Sequence, residues 1–209
     1  MMQKIQRCFS LTRKIIAPFN INMYLVNCGT ECIIIDPGED FNSIQRMLSH
    51  HCPNSKPNLF LTHGHYNHIK SVPQICDHYK NTTIFASAKD LRLFLNPFNH
   101  SKNSVNFSLK NYINKMKFVK EHDILKFGDS IFEIIELSGH TPGSIGLYSK
   151  TGKCAFVGDT LQFESLGSVD HPQSNDKLLI KNIRMKLLTL DEKTKIYPGH
   201  GKETSIAHE

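Results

Sequence analysis

The sequence predicts an α+β fold in which two β-sheets pack together between outer layers of helices, a four-layer αββα sandwich. Two observations carry this prediction. Short apolar, β-rich runs alternate with helical runs along the chain, and each half of the chain shows this alternation. The 209 residues, 39% of them apolar, are enough for one domain with a sizeable core. We therefore predict a single domain over residues 1–209.

The first half of the chain opens with a predicted β-hairpin. Residues 23–26 and 32–35 are apolar runs on either side of Gly29. The turn signal Asp-Pro-Gly at residues 36–38 ends the second run. Apolar residues then fall at helical spacing over residues 41–51, so we predict an amphipathic helix there.

The rest of the chain continues the alternation of strands and helices. Predicted strands cover residues 58–62, 82–86, 118–119, 124–127, 131–137, 145–148, 154–157 and 195–197, and predicted helices cover 71–80, 88–95 and 176–188. Residues 96–115 are rich in Asn, Ser and Lys, which predicts a loop insertion. Residues 1–14 precede the first strand pattern, and we expect them to form a partly ordered N-terminal extension.

The charge balance is basic but spread along the chain. The formal net charge is +6 and the sequence pI is about 9.0. The lysines are scattered among asparagines, which favours a solvated basic surface over a nucleic-acid site. The chain contains no apolar run near the ~20 residues that span a bilayer. We therefore expect a small-molecule substrate as the partner, with no nucleic acid and no membrane, and the oligomeric state stays open.

The cysteines indicate a reducing environment. The six cysteines are irregularly spaced and form no Cys-x-x-Cys pair, which argues against a disulfide framework and a cysteine zinc site. We expect them to be buried small apolar residues. The basic, acid-poor N-terminus is also typical of a mitochondrial presequence. Strand-like residues from position 15 onward leave too little chain for one, so we expect a cytoplasmic location.

A histidine-rich segment directly follows the predicted strand at residues 58–62. It places His63, His65 and His68 within six residues, in the run Thr-His-Gly-His-Tyr-Asn-His. Imidazole nitrogen is a good ligand for zinc and other borderline metals. This spacing is uncommon by chance, so the segment is a candidate metal site.

Three further candidate ligands occur where an apolar strand runs into a loop. His140 follows the strand at 131–137, Asp159 follows the strand at 154–157, and His200 follows the last strand. Each has a glycine beside it, and glycine allows a sharp turn and a close approach of other groups. A lone histidine is more often a surface side chain. The repetition of this context favours a metal site.

These segments together resemble the metallo-β-lactamase-fold superfamily, in particular the short glyoxalase II-like hydrolases. The resemblance runs from about residue 15 to residue 201. The segments that carry it are residues 22–26, 35–38, 62–68, 139–143, 158–160 and 198–201. It implies a metal-dependent hydrolase that acts on a small thioester, lactone or related ester through a metal-bound hydroxide.

The resemblance also implies how the ligands are divided between two metal positions. His63, His65 and His140 would hold one metal, His68 and His200 would belong to a second, and Asp159 would bridge both. Zn²⁺ is the implied metal, with Fe or Mn as alternatives. Metal-bound water has a pKa near 7, which would make it a nucleophile.

The sequence departs from the family pattern at three points. Asn67 stands where the family has an aspartate immediately before its last histidine, and Ser168 stands where the family often has an arginine. A neutral amide is a weaker ligand than a carboxylate, so the second metal should bind more weakly or be absent. We count Asn67 with Asp159 among the candidate catalytic residues. The chain also ends soon after His200, without the helical region that helps full-length glyoxalase II to hold glutathione, so we do not expect glutathione specificity.

Two alternatives to the hydrolase stay open. His63, His140 and Asp159 could form the two-histidine, one-carboxylate site of a mononuclear iron oxidoreductase that oxidises persulfides. Oxygen uptake with a persulfide, compared with thioester cleavage, discriminates between these two enzymes. The chain could also be a weakly active or non-catalytic family member, because of Asn67. The presence of all the other ligands argues against this, since an unused site has no reason to gather them.

Overall fold

Two six-stranded sheets form the centre of the molecule. The structure is a computed structural model that describes residues 9–18, 20–95 and 107–209. The first sheet contains, in spatial order, β1 (Ser10–Ile16), β2 (Ile21–Asn27), β3 (Glu31–Ile35), β4 (Lys56–Phe60), β5 (Ile84–Ala86) and β6 (Met116–Phe118). The pairs from β1 to β3 are antiparallel and those from β3 to β6 are parallel. The predicted hairpin at residues 23–35 is therefore confirmed.

The second sheet comes from the second half of the chain. Its strands are β7 (Ile124–Phe127), β8 (Ser130–Glu136), β9 (Ile145–Ser149), β10 (Cys154–Gly158), and, after a small hairpin of β11 (Leu161–Gln162) and β12 (Ser165–Leu166), β13 (Lys195–Pro198) and β14 (Thr204–Ser205). Their spatial order is β14-β13-β10-β9-β8-β7. Only β10 and β13 pair in parallel in this sheet, because the chain crosses back through a helix between them.

The described helices lie between the strands in sequence. They are α1 (Phe41–His51), α2 (Tyr66–Ile69), α3 (Val72–His78), α4 (Leu91–Leu95) and α5 (Asp176–Asn182), which continues as a π-helical turn at Ile183–Leu187. Short 3₁₀ helices cover Ala88–Asp90 and Lys110–Lys115. The helices predicted at 41–51, 71–80 and 176–188 are confirmed. None of the described helices has the length and apolar character that a bilayer crossing requires.

Three apolar clusters account for the layers. The cluster between the sheets includes Tyr24 and Val26 of β2 and Phe132 and Phe156 of the second sheet. The alternate β2 residues instead face α1, where they join a separate cluster on the outer side of the first sheet. A third cluster packs α5 and its π-helical turn on the outer side of the second sheet. Both faces of each sheet are therefore covered, which explains the near-continuous apolar runs in the sequence and confirms the predicted four-layer αββα sandwich.

Two predicted boundaries differ from the structure. Strand β1 begins at Ser10, so residues 10–14 of the predicted N-terminal extension pair with β2 at the sheet edge. Residues 1–8 lie outside the described part of the chain. Within the predicted loop insertion at 96–115, residues 96–106 also lie outside it, and residues 110–115 form a 3₁₀ helix. The described cysteines are all buried, as predicted, while Cys8 is outside the described residues.

The carboxyl ends of five strands meet at one edge of the sandwich. The loop after β4 carries the histidine-rich segment, and the loops after β8, β10 and β13 carry His140, Asp159 and His200. Strand β3 ends at the same edge, where Asp36 follows it. The fold thus gathers onto one edge residues that lie up to 164 positions apart in sequence (Asp36 to His200).

Phe156 is expected to be a main contributor to the core between the sheets. It is fully buried, with its ring centroid 5.2 Å from that of Tyr24 and 5.1 Å from that of Tyr197. Phe156→Ala should lower the free energy of unfolding by about 3–5 kcal/mol, because it leaves a cavity that the sheets cannot close. Phe118→Ala is the matched control, since Phe118 is 43% exposed, and it should cost less than about 1 kcal/mol. Urea denaturation measures both, and equal costs would contradict this description of the core.

Candidate metal centre

The structure brings all six predicted ligands together at the edge where the strands end. His63, His65, His140 and Asp159 form one group, and His68, Asp159 and His200 form a second. Within each group the candidate ligand atoms lie within 4.8 Å of one another. The side chains are buried except for that of His200, which is half-buried. Asp159 is common to both groups.

The first group has the spacing of a four-coordinate metal site. His140 Nε2 lies 3.0 Å from His65 Nδ1, and Asp159 Oδ2 lies 3.5 Å from His140 Nε2 and 3.8 Å from His63 Nε2. Nitrogen and oxygen ligands at about 2.0–2.2 Å from one zinc ion in a tetrahedron are roughly 3.3–3.6 Å apart. The four ligand atoms therefore need only small shifts to hold one ion.

The second group has fewer protein ligands. His68 Nε2 lies 3.2 Å from His200 Nε2, and Asp159 Oδ2 lies 3.5 Å and 3.3 Å from these two nitrogens. The same carboxylate oxygen therefore faces both groups. The second group offers two histidines and this shared carboxylate, whereas the first offers three histidines and the carboxylate.

A hydrogen-bonded chain orients His63. Asp36 Oδ2 accepts the hydroxyl proton of Thr62 at 2.7 Å, so the Thr62 oxygen is left to accept from His63 Nδ1 at 2.9 Å. His63 then carries its proton on Nδ1 and has a lone pair on Nε2, as a metal ligand requires. Neither Asp36 nor Thr62 is among the site residues that the sequence predicts, because neither stands out as a ligand and Asp-Pro-Gly at residues 36–38 has the character of a turn.

Asp36 also stands behind His68. Its Oδ2 lies 3.3 Å from His68 Nδ1, and its Oδ1 accepts the Thr62 main-chain N–H at 2.8 Å. His68 lies in the single turn of α2, not on the loop that carries His63 and His65. One buried carboxylate therefore contacts His68 directly and reaches His63 through Thr62.

Main-chain contacts orient His140. Its Nδ1 donates to the carbonyl oxygen of Ser168 at 2.6 Å, which leaves the Nε2 lone pair directed at the first group. The Ser174 hydroxyl donates to the His140 carbonyl oxygen at 2.8 Å. The contact of Ser168 uses its main chain, so it does not depend on the side chain at the position where the family often has an arginine.

Burial and the neighbouring charges separate the two groups electrostatically. Burial lowers the pKa of His63 well below its usual value, and burial also lowers that of His140. Burial acts to lower the pKa of His68 too, but the negative charges of Asp159 and Asp36 outweigh it and raise that pKa to about 10. Without metal, His68 is therefore a cation. A metal ion must compete with a proton at the second group but not at His63 or His140.

Asp159 is held as an anion. Burial acts to raise its pKa, but the charge of His68 and the hydrogen bonds from His200 and His68 keep that pKa well below its usual value. A side chain in place of Gly199 would collide with Asp159 Oδ1, so the close approach expected of a glycine beside a ligand is realised here.

A buried ring nitrogen shows that the first group suits a cation. His63 Nε2 is buried and has no hydrogen-bond partner among the described residues. A buried lone pair without a partner costs free energy, and a metal ion bound at this group would remove that cost. Neutral imidazoles with one carboxylate are also the donor set that zinc and iron accept.

The centre opens into a cleft of about 860 Å³. Asn67 lies in α2 next to His68 and lines this cleft, half-buried. His171 also lines it, and its ring centroid lies 4.7 Å from that of His65 and 5.7 Å from that of His140. The sequence does not predict His171 as a site residue, because no glycine stands beside it as one does beside His140, Asp159 and His200.

Comparisons with known proteins agree with this geometry. The profile of the metallo-beta-lactamase superfamily matches residues 16–200. The chain is 35% identical over 179 residues to the hydroxyacylglutathione hydrolase GloC of Haemophilus influenzae. The matched region covers 84% of this chain and 82% of that protein.

Two solved structures of similar length have the same fold. The B3 metallo-beta-lactamase BLEG-1 matches with a TM-score of 0.84 at 26% identity, over 96% of each chain. TTHA1623 in a di-iron-bound form matches with a TM-score of 0.81 at 25% identity, over 95% of this chain and 96% of that one. With its histidine and aspartate cluster of the kind that binds divalent metal ions, the chain belongs to the metallo-beta-lactamase superfamily.

Proposed function

We propose that this protein is a metal-dependent hydrolase that cleaves a small thioester, lactone or related ester. One observation carries the proposal. Asp159 Oδ2 lies between 3.3 and 3.8 Å from ring nitrogens of four histidines, His63, His68, His140 and His200. So many ligand atoms around one anionic oxygen favour metal binding over a structural hydrogen-bond network.

We propose two metal positions, one at each group of ligands. His63, His65, His140 and Asp159 would hold the first ion, and His68, His200 and Asp159 would hold the second. Zn²⁺ suits these ligands best, and the di-iron form of TTHA1623 keeps iron as an alternative. A bound ion would lower the pKa of water and polarise the substrate carbonyl.

The protein side chains fix the geometry for this chemistry. Asp36 and Thr62 hold the proton of His63 on Nδ1, and the Ser168 carbonyl holds that of His140 on Nδ1, so both Nε2 lone pairs face the site. Asp159 stays anionic between the two positions. These contacts are set before substrate arrives, so binding needs little rearrangement.

The second position should be the weaker one. It has fewer protein ligands, its His68 holds a proton in the absence of metal, and Asn67 brings a neutral amide where the family has a carboxylate. We therefore propose one firmly bound ion and a second of lower affinity.

The cleft and the relatives support a thioester as the first substrate to test. The relative named hydroxyacylglutathione hydrolase is similar to this chain over most of both lengths. The length of the chain is therefore no argument against a glutathione thioester. The cleft is open enough for a small acyl compound, and we propose such a molecule as the partner, with the cytoplasm as the location.

A mononuclear iron oxidoreductase is the second candidate in chemical terms. A mononuclear iron site would need only His63, His140 and Asp159 as ligands. The contacts of His68 and His200 with Asp159 would then have no role in binding the metal. The second group therefore favours the hydrolase. Oxygen consumption with a persulfide, without thioester cleavage in the same sample, would reverse this preference.

The metal content of the purified protein tests the proposal. Protein purified without chelators should contain at least about one equivalent of zinc or iron per chain and should cleave a thioester or lactone. His140→Ala should bring the metal content below about half an equivalent and lower kcat/KM at least about a hundredfold, because it removes a ligand of the first position. His51→Ala is the control, since His51 is an exposed histidine at the end of α1. Wild-type protein with no bound metal, or activity that survives chelation, would contradict the proposal.

The substitution Asn67→Asp tests the difference between the two positions. It should lower the dissociation constant of the second metal at least about tenfold, since it adds a carboxylate beside His68. The first metal should bind as in the wild type. Asn42→Asp adds the same charge at an exposed position of α1 and should change neither affinity. Titration of metal-free protein with Zn²⁺ against a chelator measures both constants. An unchanged second constant would show that Asn67 does not limit this position.

A further inference from the structure

We infer that Asp90 is a positioning residue of the metal centre. It joins the loop that carries His63 and His65 to the loop that carries His140, and so sets the spacing of the three histidines of the first position. This inference rests on the proposed metal-dependent function.

Three hydrogen bonds surround the Asp90 carboxylate. Its Oδ2 accepts the main-chain N–H of Gly64 at 2.9 Å and the hydroxyl of Thr141 at 2.7 Å. Its Oδ1 accepts the main-chain N–H of Gly143 at 2.6 Å. Asp90 lies at the end of the 3₁₀ helix after β5 and is 1% exposed. These contacts are therefore made away from water, where hydrogen bonds to a charged group are strong.

The donors are neighbours of the proposed ligands. Gly64 lies between His63 and His65, and Thr141 follows His140. The two loops follow strands of different sheets, and His65 and His140 are 75 residues apart in sequence. A main-chain bond from Ile145 to Thr62 joins the same two segments further from the histidines. Asp90 adds the link that lies next to the ligands themselves.

The surroundings of Asp90 require a carboxylate. All three neighbouring groups are donors, and an ionised carboxylate is a side chain that only accepts. Burial raises the pKa of Asp90, and the bonds from Thr141, Gly143 and Gly64 oppose that rise. A side chain at Gly143 would come within 2.6 Å of Asp90, so this loop residue must be a glycine for the contact to form.

The hydrogen bond between Asp90 and the His140 loop can be removed or kept by substitutions at Thr141. Its hydroxyl donates to Asp90, and that same oxygen lies 2.8 Å from the Ser144 hydroxyl, from which it can accept. Thr141→Val removes this donor with little change in shape, and Thr141→Ser keeps it. The pair separates the loss of the hydrogen bond from the loss of packing.

The test measures metal affinity and ligand geometry in Asp90→Asn. The amide would turn an N–H₂ group toward at least one of the three donors. We expect the dissociation constant of Zn²⁺ at the first position to rise about 10–100-fold. The visible absorption spectrum of the Co²⁺-substituted protein should change as well. Thr141→Val should show a smaller rise and Thr141→Ser wild-type behaviour.

A purely structural role predicts a different result. Val26→Ala weakens the core between the sheets at a position 37 residues before His63 in sequence, and it should lower stability without changing the Zn²⁺ constant or the Co²⁺ spectrum. If folded Asp90→Asn matches the wild type in both readouts, Asp90 is not a positioning residue. If Asp90→Asn does not fold, an unchanged Zn²⁺ constant in Thr141→Val overturns the inference. Wild-type protein that binds neither ion would instead refute the proposed function.

Discussion

The buried carboxylate of Asp159 is the interaction on which the site depends. Its Oδ2 faces ring nitrogens that come from the loops after β4 and β8, from α2 and from the loop after β13. An anion this deeply buried is stable only with positive charge or strong donors around it. In the metal-free protein, His68 supplies the charge as a cation. In the proposed metal-bound state, the metal ions supply this positive charge, so the Asp159 carboxylate is stabilised both with and without metal.

A second set of contacts fixes the ring orientation of the histidines. Asp36 acts through Thr62 on His63 and directly beside His68, while the Ser168 carbonyl holds His140. At His63 and His140 the contact keeps the proton on Nδ1 and leaves the Nε2 lone pair free for a metal. The sandwich makes this possible because its two sheets end at the same edge, so residues from both can surround one small volume.

Much of this arrangement could be predicted from the sequence, for physical reasons. The sheets bury both faces, which produced clear apolar runs, and glycines flank His140, Asp159 and His200 because the chain turns sharply there. Other features left no local signal. Asp36 resembles an ordinary turn residue, and His171 reaches the cleft only through the path of its loop. Strand β1 starts at Ser10 within polar, half-exposed residues, since an edge strand needs no full apolar face.

Asp159 is proposed to lie between two unequal metal positions. A crystal structure of protein supplied with excess zinc, with anomalous scattering recorded at the zinc edge, would locate both ions. We expect a strong peak bounded by His63, His65 and His140, and a weaker peak beside His68 and His200, with the Asp159 carboxylate between them. Two peaks of equal strength would contradict the proposed inequality. A metal bound away from these residues, with the cluster intact and empty, would contradict the proposal itself.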